Sequence, residues 1–251
     1  MRPYNRLIVM KPCRICGARV KKFLDLGATP PPEEFRTKKE LKEKIVTYPL
    51  GLAYCSRCGE VQLSFEISPD IMYKENYFYD YSLTKTGLTH WNELARLIYK
   101  KYKLTKKDLV VDIGSNTGSL LGIFEQLGTR ILGVDPATNL VEIARRRGIP
   151  TINDYFMPTV AGDIVKKYGQ ATIITCNNTF DHVDDLNDFM RALVRLMTPD
   201  GVCIIEVPYF MNLVKNITHV VYHQQIDYLL VTPFTRLFKR WKTEIIDCEK
   251  I

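Results

Sequence analysis

The 251-residue sequence lacks any long apolar run, which excludes a membrane span, since a span needs about 20 such residues. The apolar stretch Leu7–Met10 is too short for the core of a signal peptide. Repeats and low-complexity tracts are also absent, and 46% apolar with 25% charged residues is not the composition of a disordered chain. We therefore expect a globular cytoplasmic protein with no membrane partner.

Acidic residues are outnumbered by basic ones, and the net charge is +7. The basic clusters are dispersed and lack interleaved aromatic residues, so nucleic acid is the weaker choice of partner. They fit either solvated helix faces or attraction of an anionic partner such as a nucleotide-linked substrate. These clusters are Arg36–Lys44, Lys100–Lys107, Arg145–Arg147 and Lys239–Lys242.

Disulfide pairs are not indicated by the seven cysteines. Cys176, Cys203 and Cys248 stand singly in apolar runs, as small core residues of strands do. This usage is typical of a reducing compartment.

The other four cysteines form two Cys-x-x-Cys-Gly motifs, with pairs at Cys13 and Cys16 and at Cys55 and Cys58. Four thiolates are a tetrahedral zinc set that leaves no open coordination position, so the predicted zinc is structural. Unrelated free thiols or a redox pair are the alternatives. Residues 1–80 have little sustained periodicity apart from a charged helix-like stretch near Glu33–Lys44, and a small domain of that kind needs a staple. We expect residues 1–80 to be a zinc-binding domain.

Residues 81–251 alternate between strand-like and helix-like segments, which favours an α/β domain with a doubly wound parallel sheet. Helical spacing starts near Leu88 and continues to Tyr102. The strand-like runs are Leu109–Ile113, Arg130–Val134, Ala171–Asn177, Val202–Val207 and Glu244–Glu249. The helix-like stretches are Ser119–Leu127, Asn139–Arg147, Asp184–Met197 and Pro233–Trp241.

A glycine loop, Asp112–Gly118, closes the first of these strands and opens a helix. Its spacing D-x-G-x-x-x-G differs from the dinucleotide fingerprint, and it lacks the Lys-Ser/Thr of a P-loop. The next strand ends at Asp135, where a carboxylate can accept hydrogen bonds from both ribose hydroxyls. The loop predicts S-adenosylmethionine (SAM) binding, against an NAD-binding or empty Rossmann domain. The candidate cofactor-binding residues are Asp112, Gly114, Ser115, Gly118, Asp135, Pro136 and Asn178.

The order and spacing of many short motifs resemble the sugar C-methyltransferase family, which methylates carbon 3 of nucleotide-linked 4-keto deoxysugars. The resemblance covers nearly the whole chain. It rests on Cys13–Gly17, Asp25–Gly27, Tyr48–Leu50, Cys55–Gly59, Val61–Leu63, Tyr77–Ser82, Asp112–Gly118, Gly133–Ala137, Asn178–Val183, Glu206–Tyr209 and Val221–His223. It implies a zinc-binding N-terminal domain, a class I SAM methyltransferase domain and a C-terminal domain that helps to hold the nucleotide-sugar.

The class I methyltransferase sheet normally ends with a seventh, antiparallel strand. Here Glu244–Glu249 is the candidate for the sixth strand of that sheet, and the sequence stops at Ile251. We therefore expect the last strand to be missing from this sequence, with the missing C-terminal region supplied either by a partner chain or by a longer gene model.

The chemistry that the resemblance implies begins with removal of the proton beside the keto group, after which the enolate attacks the SAM methyl. By this likeness Tyr77 or Tyr79, His182 and Tyr222 line the catalytic site. Tyrosine hydroxyls can donate to an oxyanion, and His182 can orient the substrate or relay a proton.

The sequence departs from the family at Gln224 and Gln225, where the family reads Glu-His and the histidine is its proposed base. An amide has no useful pKa, so Gln225 cannot remove a proton. His182 or His223 could compensate if either reaches the sugar carbon. Three hypotheses stay open: a nucleotide-sugar methyltransferase, a degenerate or truncated relative that binds SAM and zinc but needs a partner chain, and a nucleic-acid methyltransferase.

Overall fold

The computed structural model describes residues 10–33, 35–73, 77–216 and 221–250. It divides into two compact units, Met1–Ser68 with Pro208–Ile251, and Pro69–Val207. The expected division at residue 80 placed all of 81–251 in the second domain. In the structure the segment from Pro208 belongs instead with the N-terminal residues.

The first unit is built on a three-stranded antiparallel sheet in the order β1-β2-β3. One cysteine pair precedes β1, and the other lies in the turn between β2 and β3. A short apolar core between β2 and β3 centres on Leu50, Leu52, Val61 and Leu63. The strands are β1 (Lys21–Thr29), β2 (Tyr48–Tyr54) and β3 (Val61–Leu63).

The second unit is a five-stranded parallel sheet in the order β6-β5-β4-β7-β8. Helices follow the strands in turn, so the carboxyl ends of all five strands meet at one edge. The helices are α1 (Pro69–Tyr73), α2 (Lys85–Lys101), α3 (Ser119–Gln126), α4 (Thr138–Arg146), α5 (Pro158–Tyr168) and α6 (Leu186–Leu196). The strands are β4 (Leu109–Ile113), β5 (Arg130–Asp135), β6 (Thr151–Asn153), β7 (Ala171–Asn177) and β8 (Met197–Glu206).

Helix α2 presents one apolar face to the core, as its helical spacing predicts. Trp91, Ala95 and Ile98 of this helix belong to the same buried cluster as Phe124 of α3 and Val110 of β4. The helix begins where the Thr84 hydroxyl accepts the Gly87 N–H at 3.0 Å, a side-chain cap for an otherwise unpaired donor. The cluster fixes α2 against α3 beside the carboxyl edge of the sheet.

The C-terminal part of the first unit contains α7 (Phe210–Asn216) and α8 (Val231–Arg240). Between them the chain extends beside β3, where the Leu63 N–H donates to Ile226 O and the Tyr228 N–H donates to Val61 O, both at 2.8 Å. Arg14 binds the Asp227 carboxylate through Nε at 2.9 and 3.1 Å. These contacts explain why residues from 208 onward do not belong with the sheet of the second unit.

Two sequence expectations about elements are wrong. The predicted sixth strand Glu244–Glu249 is neither strand nor helix and is exposed, so its apolar residues gain no burial that would select a strand. The charged stretch near Glu33–Lys44 contains only the 3-10 turn Glu40–Lys42 within its described residues, with Leu41 exposed. Conversely, β6 and α5 were not predicted. Among the described residues no helix has the length and apolar character needed to cross a bilayer.

Candidate cofactor and metal sites

The four cysteines of the two Cys-x-x-Cys-Gly motifs come together in the first unit. Their Sγ atoms all lie within 4.8 Å of one another. Cys13 Sγ is 3.4 Å from Cys58 Sγ, and Cys16 Sγ is 3.6 Å from Cys55 Sγ. Zn–S bonds of about 2.3 Å place the corners of a tetrahedron about 3.8 Å apart, so this arrangement fits one zinc ion.

The two cysteine motifs fold as near copies of each other. The Gly17 N–H donates to Cys13 O and the Gly59 N–H donates to Cys55 O, each at 2.8 Å. Both glycines have positive φ, 70° and 87°, which other residues adopt only with strain. This conformation turns each loop tightly enough to bring its two sulfurs together.

The metal-free thiols differ in acidity. Burial raises the pKa of Cys13, and burial raises that of Cys58 to about 11. Burial also acts on Cys55, but the backbone N–H groups of Cys58 and Arg57 outweigh it and bring its pKa down to about 7. Zinc binds thiolates, so metal binding has to displace protons from the buried thiols.

The glycine loop leaves β4 at the carboxyl edge of the sheet. Gly114 and Gly118 have φ of 72° and 76°. A Cβ at Gly114 would lie 2.1 Å from Thr179 Oγ1, and a Cβ at Gly118 would lie 2.8 Å from Ile149. The two glycines are therefore required by protein packing and backbone conformation, as well as by the space that a ligand over the loop would need.

Asp135 ends β5 and holds the glycine loop from the side. Its Oδ2 accepts the Asn116 N–H at 2.7 Å, and its Oδ1 accepts the Ala137 N–H at 2.8 Å. Burial raises the pKa of Asp135 to about 6 despite these two donors. Each carboxylate oxygen has a second lone pair, so Asp135 can still accept a hydrogen bond from each ribose hydroxyl.

Asp112, in β4, is buried beside Thr175. The Thr175 hydroxyl donates to Asp112 Oδ1 at 2.6 Å. Burial raises the pKa of Asp112 to about 7, and the nearby Asp135 adds to this rise. Asp112 therefore ties β4 to β7 within the sheet, directly before the glycine loop.

Several buried polar atoms at the carboxyl edge have no hydrogen-bond partner within the described protein. They are Ser115 Oγ, Asn139 Oδ1 and both amide atoms of Asn177. Buried polar atoms normally have partners, so this group fits a polar ligand seated over the loop. The next residue, Asn178, has φ of 49° and donates its N–H to Glu206 O at 2.7 Å. Pro136 accepts a bond from Asn153 Nδ2 at 3.0 Å and so supports the turn after Asp135.

The segment before α2 runs over this loop and contains both tyrosines that the sequence singled out. Tyr79 O accepts Asn116 Nδ2 at 2.7 Å, and Tyr77 O accepts Asn139 Nδ2 at 2.8 Å. Asp80 accepts the Thr117 hydroxyl at 3.2 Å. The backbone of the segment is thereby tied to the cofactor loop. The Tyr79 side chain is largely exposed.

His182 lies in the 3-10 turn after β7, between a tyrosine and a carboxylate. Its Nδ1 is 3.2 Å from the Tyr73 hydroxyl, and its Nε2 is 3.5 Å from Asp181 Oδ2. The Tyr73 ring also stacks on the imidazole, with ring centroids 5.9 Å apart. The Tyr73 hydroxyl therefore holds Nδ1, while the buried Asp181 carboxylate beside the ring accepts no hydrogen bond within the described residues, an arrangement suited to orienting a substrate or relaying a proton.

The remaining predicted catalytic residues, Tyr222 and His223, lie in the first unit. The Tyr222 N–H donates to the Tyr228 hydroxyl at 3.2 Å. His223 is buried, with Nε2 3.3 Å from Tyr48 O, and burial lowers its pKa. Gln225 is 1% exposed, and its Nε2 donates to Asp227 O at 3.4 Å.

Sequence reasoning missed Tyr73 and Asp181, the two neighbours of His182. It also missed a second histidine–carboxylate pair, His90 and Glu206, whose Nε2 and Oε2 lie 2.7 Å apart. Residues 90 and 206 are too far apart in the chain for spacing to pair them. The available signals were the position of Glu206 near the end of the predicted strand Val202–Val207 and its place in the motif Glu206–Tyr209.

The sheet, the glycine loop with its strand-end carboxylate and the cysteine module together define a class I SAM methyltransferase fold with an N-terminal zinc-binding domain. The chain belongs to the family described as methyltransferase domain, whose family model matches residues 89–244. A family model of a zinc binding domain matches residues 13–73. SAM and zinc are the cofactors of these two domains, as the sequence predicts.

Among known proteins, the C-methyltransferase NovU of Streptomyces niveus is 32% identical over 239 residues, which are 94% of this chain and 56% of NovU. A ubiquinone biosynthesis O-methyltransferase of Xanthomonas oryzae pv. oryzae is 31% identical over 94 residues, 37% of this chain and 39% of that protein. The chain thus spans about half or less of the length of these relatives. The plantazolicin methyltransferase BpumL, solved with SAH, is 15% identical with a TM-score of 0.49, covering 64% of this chain and 66% of BpumL.

Proposed function

We propose that this chain is a SAM-dependent methyltransferase that methylates a carbon atom of a nucleotide-linked deoxysugar or a related glycan precursor. The observation that carries the proposal is the similarity to NovU over 94% of the chain. That relative is named a C-methyltransferase, and the similarity includes both the cysteine module and the cofactor domain. The net charge of +7 suits an anionic nucleotide-linked substrate.

The residues of the second unit have distinct tasks in this reaction. Asp135 would bind the cofactor ribose, and the loop from Gly114 to Gly118 would lie under the ligand. SAM supplies an electrophilic methyl group when bound. His182, held by Tyr73, would orient the keto group or relay a proton, and Tyr77 or Tyr79 would donate to the substrate oxygen.

The test is a transfer assay with methyl-labelled SAM and a panel of nucleotide-linked sugars, half with a 4-keto group and half with the corresponding hydroxyl. We expect label on a ring carbon of a keto sugar, located by NMR. Label on oxygen would contradict carbon methylation while retaining methyl transfer. Tight SAM binding without transfer to any sugar would contradict the function itself.

In a second candidate function, this chain binds SAM and zinc but needs a partner chain for substrate binding and catalysis. The observation that favours it is Gln225, a buried amide where the resemblance implies the catalytic base. The same assay, repeated with the product of a neighbouring gene, separates the two functions. Transfer that occurs only after the second protein is added would support the partner-dependent function.

A further inference from the structure

A paired histidine and glutamate lie at the carboxyl edge of the parallel sheet, outside the residues already given a role. His90 Nε2 is 2.7 Å from Glu206 Oε2, within the range of a strong charge-assisted hydrogen bond. Their side chains are 23% and 20% exposed, so the pair is partly desolvated but still open to a ligand.

The position of the pair follows from the sheet. Glu206 is the last residue of β8, and its backbone oxygen accepts the Asn178 N–H beyond the end of β7. Ligands of doubly wound sheets bind outside the carboxyl ends of the strands. His90 comes from α2 and also lines an open cleft of about 450 Å³ formed by residues between Tyr81 and Glu93.

The hydrogen bond to Glu206 orients the imidazole. An ionised carboxylate only accepts hydrogen bonds, so Nε2 carries the proton and Nδ1 carries the lone pair of neutral His90. This is the arrangement in which a carboxylate holds a histidine in one tautomer and stabilises the imidazolium that forms. Tyr81 and Trp91 pack against the same ring, at centroid distances of 6.2 and 5.0 Å.

The other described histidines are less suited to removing a carbon-bound proton. His182 Nδ1 is 3.2 Å from the Tyr73 hydroxyl, and its Nε2 lies beside the Asp181 carboxylate at 3.5 Å, without a hydrogen bond to it. His223 is buried next to Tyr48 O in the first unit. Gln225 has no basic atom. Carbon methylation of a keto sugar nevertheless requires a general base.

We propose that His90, oriented by Glu206, is the general base that removes the proton beside the keto group. This inference rests on the proposed function. His90 Nδ1 takes the proton, the C–H electron pair becomes the C=C bond of the enolate, and the carbonyl π pair moves onto oxygen. The enolate C=C pair would then form the new bond to the methyl carbon while the oxygen pair re-forms the carbonyl, and the S–CH₃ pair of SAM would remain on sulfur. The proton stays on the imidazolium beside Glu206 until solvent removes it.

The experiment separates proton removal from methyl transfer. A nucleotide-linked 4-keto deoxysugar is incubated with the full chain in D₂O without SAM, and exchange at the carbon beside the ketone is followed by ¹H NMR. Methyl transfer is measured in parallel, with SAM affinity determined by calorimetry. The variants are His90→Ala and Glu206→Gln, and Asn92→Ala is the control on the exposed face of α2.

We expect His90→Ala to slow exchange and methyl transfer by ~10²–10⁴-fold, the usual effect of losing a general base. Added imidazole should restore part of the exchange in His90→Ala and none in wild type or Asn92→Ala. Glu206→Gln should lower kcat with little change in KM, because it acts through the orientation and charge of His90.

Two results would overturn the assignment of His90. One is exchange and methylation by His90→Ala at wild-type rates. The other is a loss in His90→Ala that imidazole does not restore and that comes with reduced SAM affinity or melting temperature, which would mean that the pair only ties α2 to β8. A wild-type chain that neither exchanges nor methylates any keto sugar would contradict the proposed function, and this role of His90 with it.

Discussion

At the scale of single residues, Asp135 serves both the fold and the cofactor. Its two oxygens hold the N–H groups of Asn116 and Ala137, and their remaining lone pairs are the predicted acceptors for the ribose hydroxyls. We expect Asp135→Ala to weaken SAM binding by on the order of 2–3 kcal/mol, since hydrogen bonds to a charged group are lost. Calorimetry measures this change. Asp135→Asn, which keeps one acceptor oxygen, should have a SAM affinity between those of wild type and Asp135→Ala. Equal SAM affinity in wild type and Asp135→Ala would remove Asp135 from the cofactor site.

Asp112 makes the stability of the cofactor-free chain depend on pH. Burial raises its pKa from the ordinary value of 3.8 to about 7 in the folded state, because a buried carboxyl group favours the protonated form. Between these values the folded state binds more protons than the unfolded state, so the free energy of unfolding falls as pH rises from about 4 to about 7. Asp112→Asn removes this contribution.

Urea unfolding of both proteins at pH 5 and pH 7.5 tests this expectation. The variant should gain stability relative to wild type at the higher pH. If the difference in free energy of unfolding between wild type and Asp112→Asn did not change with pH, Asp112 would be ionised in the folded state.

At the scale of elements, the two cysteine loops form one structure only when both are in place. We expect one zinc ion per chain, bound by Cys13, Cys16, Cys55 and Cys58, and lost in Cys13→Ser. Metal removal should unfold the first unit, because the energy of structural zinc binding is folding energy. Metal analysis and thermal melting provide the measurements. Cys248→Ser, at an exposed cysteine outside the cluster, is the matched control. Equal zinc content in Cys13→Ser and Cys248→Ser would reject the site.

The elements that could be predicted from sequence are those with a strong local pattern. Strands β4, β5 and β7 are largely apolar runs, and α2 has regular helical spacing, so the local sequence was enough to predict these strands and this helix. β6 has only three residues, too few for any pattern. The segment 244–249 has a strand-like pattern, but no partner strand pairs with its described residues, and pattern alone does not make a strand. Tertiary pairing, which local sequence does not contain, decides such cases.

The same distinction holds for the candidate sites. The zinc ligands and the cofactor loop are short motifs whose chemistry is contained in their own spacing. The pairs Tyr73 with His182 and His90 with Glu206 join residues 109 and 116 positions apart, and only the fold brings them together. Spacing rules cannot reveal such pairs.

At the scale of the whole molecule, the two ends of the chain build one unit. Tyr228 is fully buried against Leu50, Leu52, Val61 and Leu63, and the strand segment around it pairs with β3. The zinc module therefore depends on residues about 170 positions beyond its last cysteine, as the positions of Cys58 and Tyr228 show. A sequence division at residue 80 could not anticipate this, because the apolar pattern near Tyr228 is also compatible with the parallel sheet.

This arrangement predicts that a core change near the C-terminus loosens the zinc module. Tyr228→Ala leaves a cavity beside β2 and β3 and should cost about 3–5 kcal/mol in the stability of the first unit, as for other large aromatic side chains. Zinc should then pass faster to a colorimetric chelator, while calorimetric SAM affinity stays at the wild-type value because the cofactor residues lie in the other unit. Val214→Ala, an exposed position of α7 in the same unit, is the control and should release zinc at the wild-type rate. If Tyr228→Ala also released zinc at that rate, the cysteine module would fold independently of the C-terminal segment.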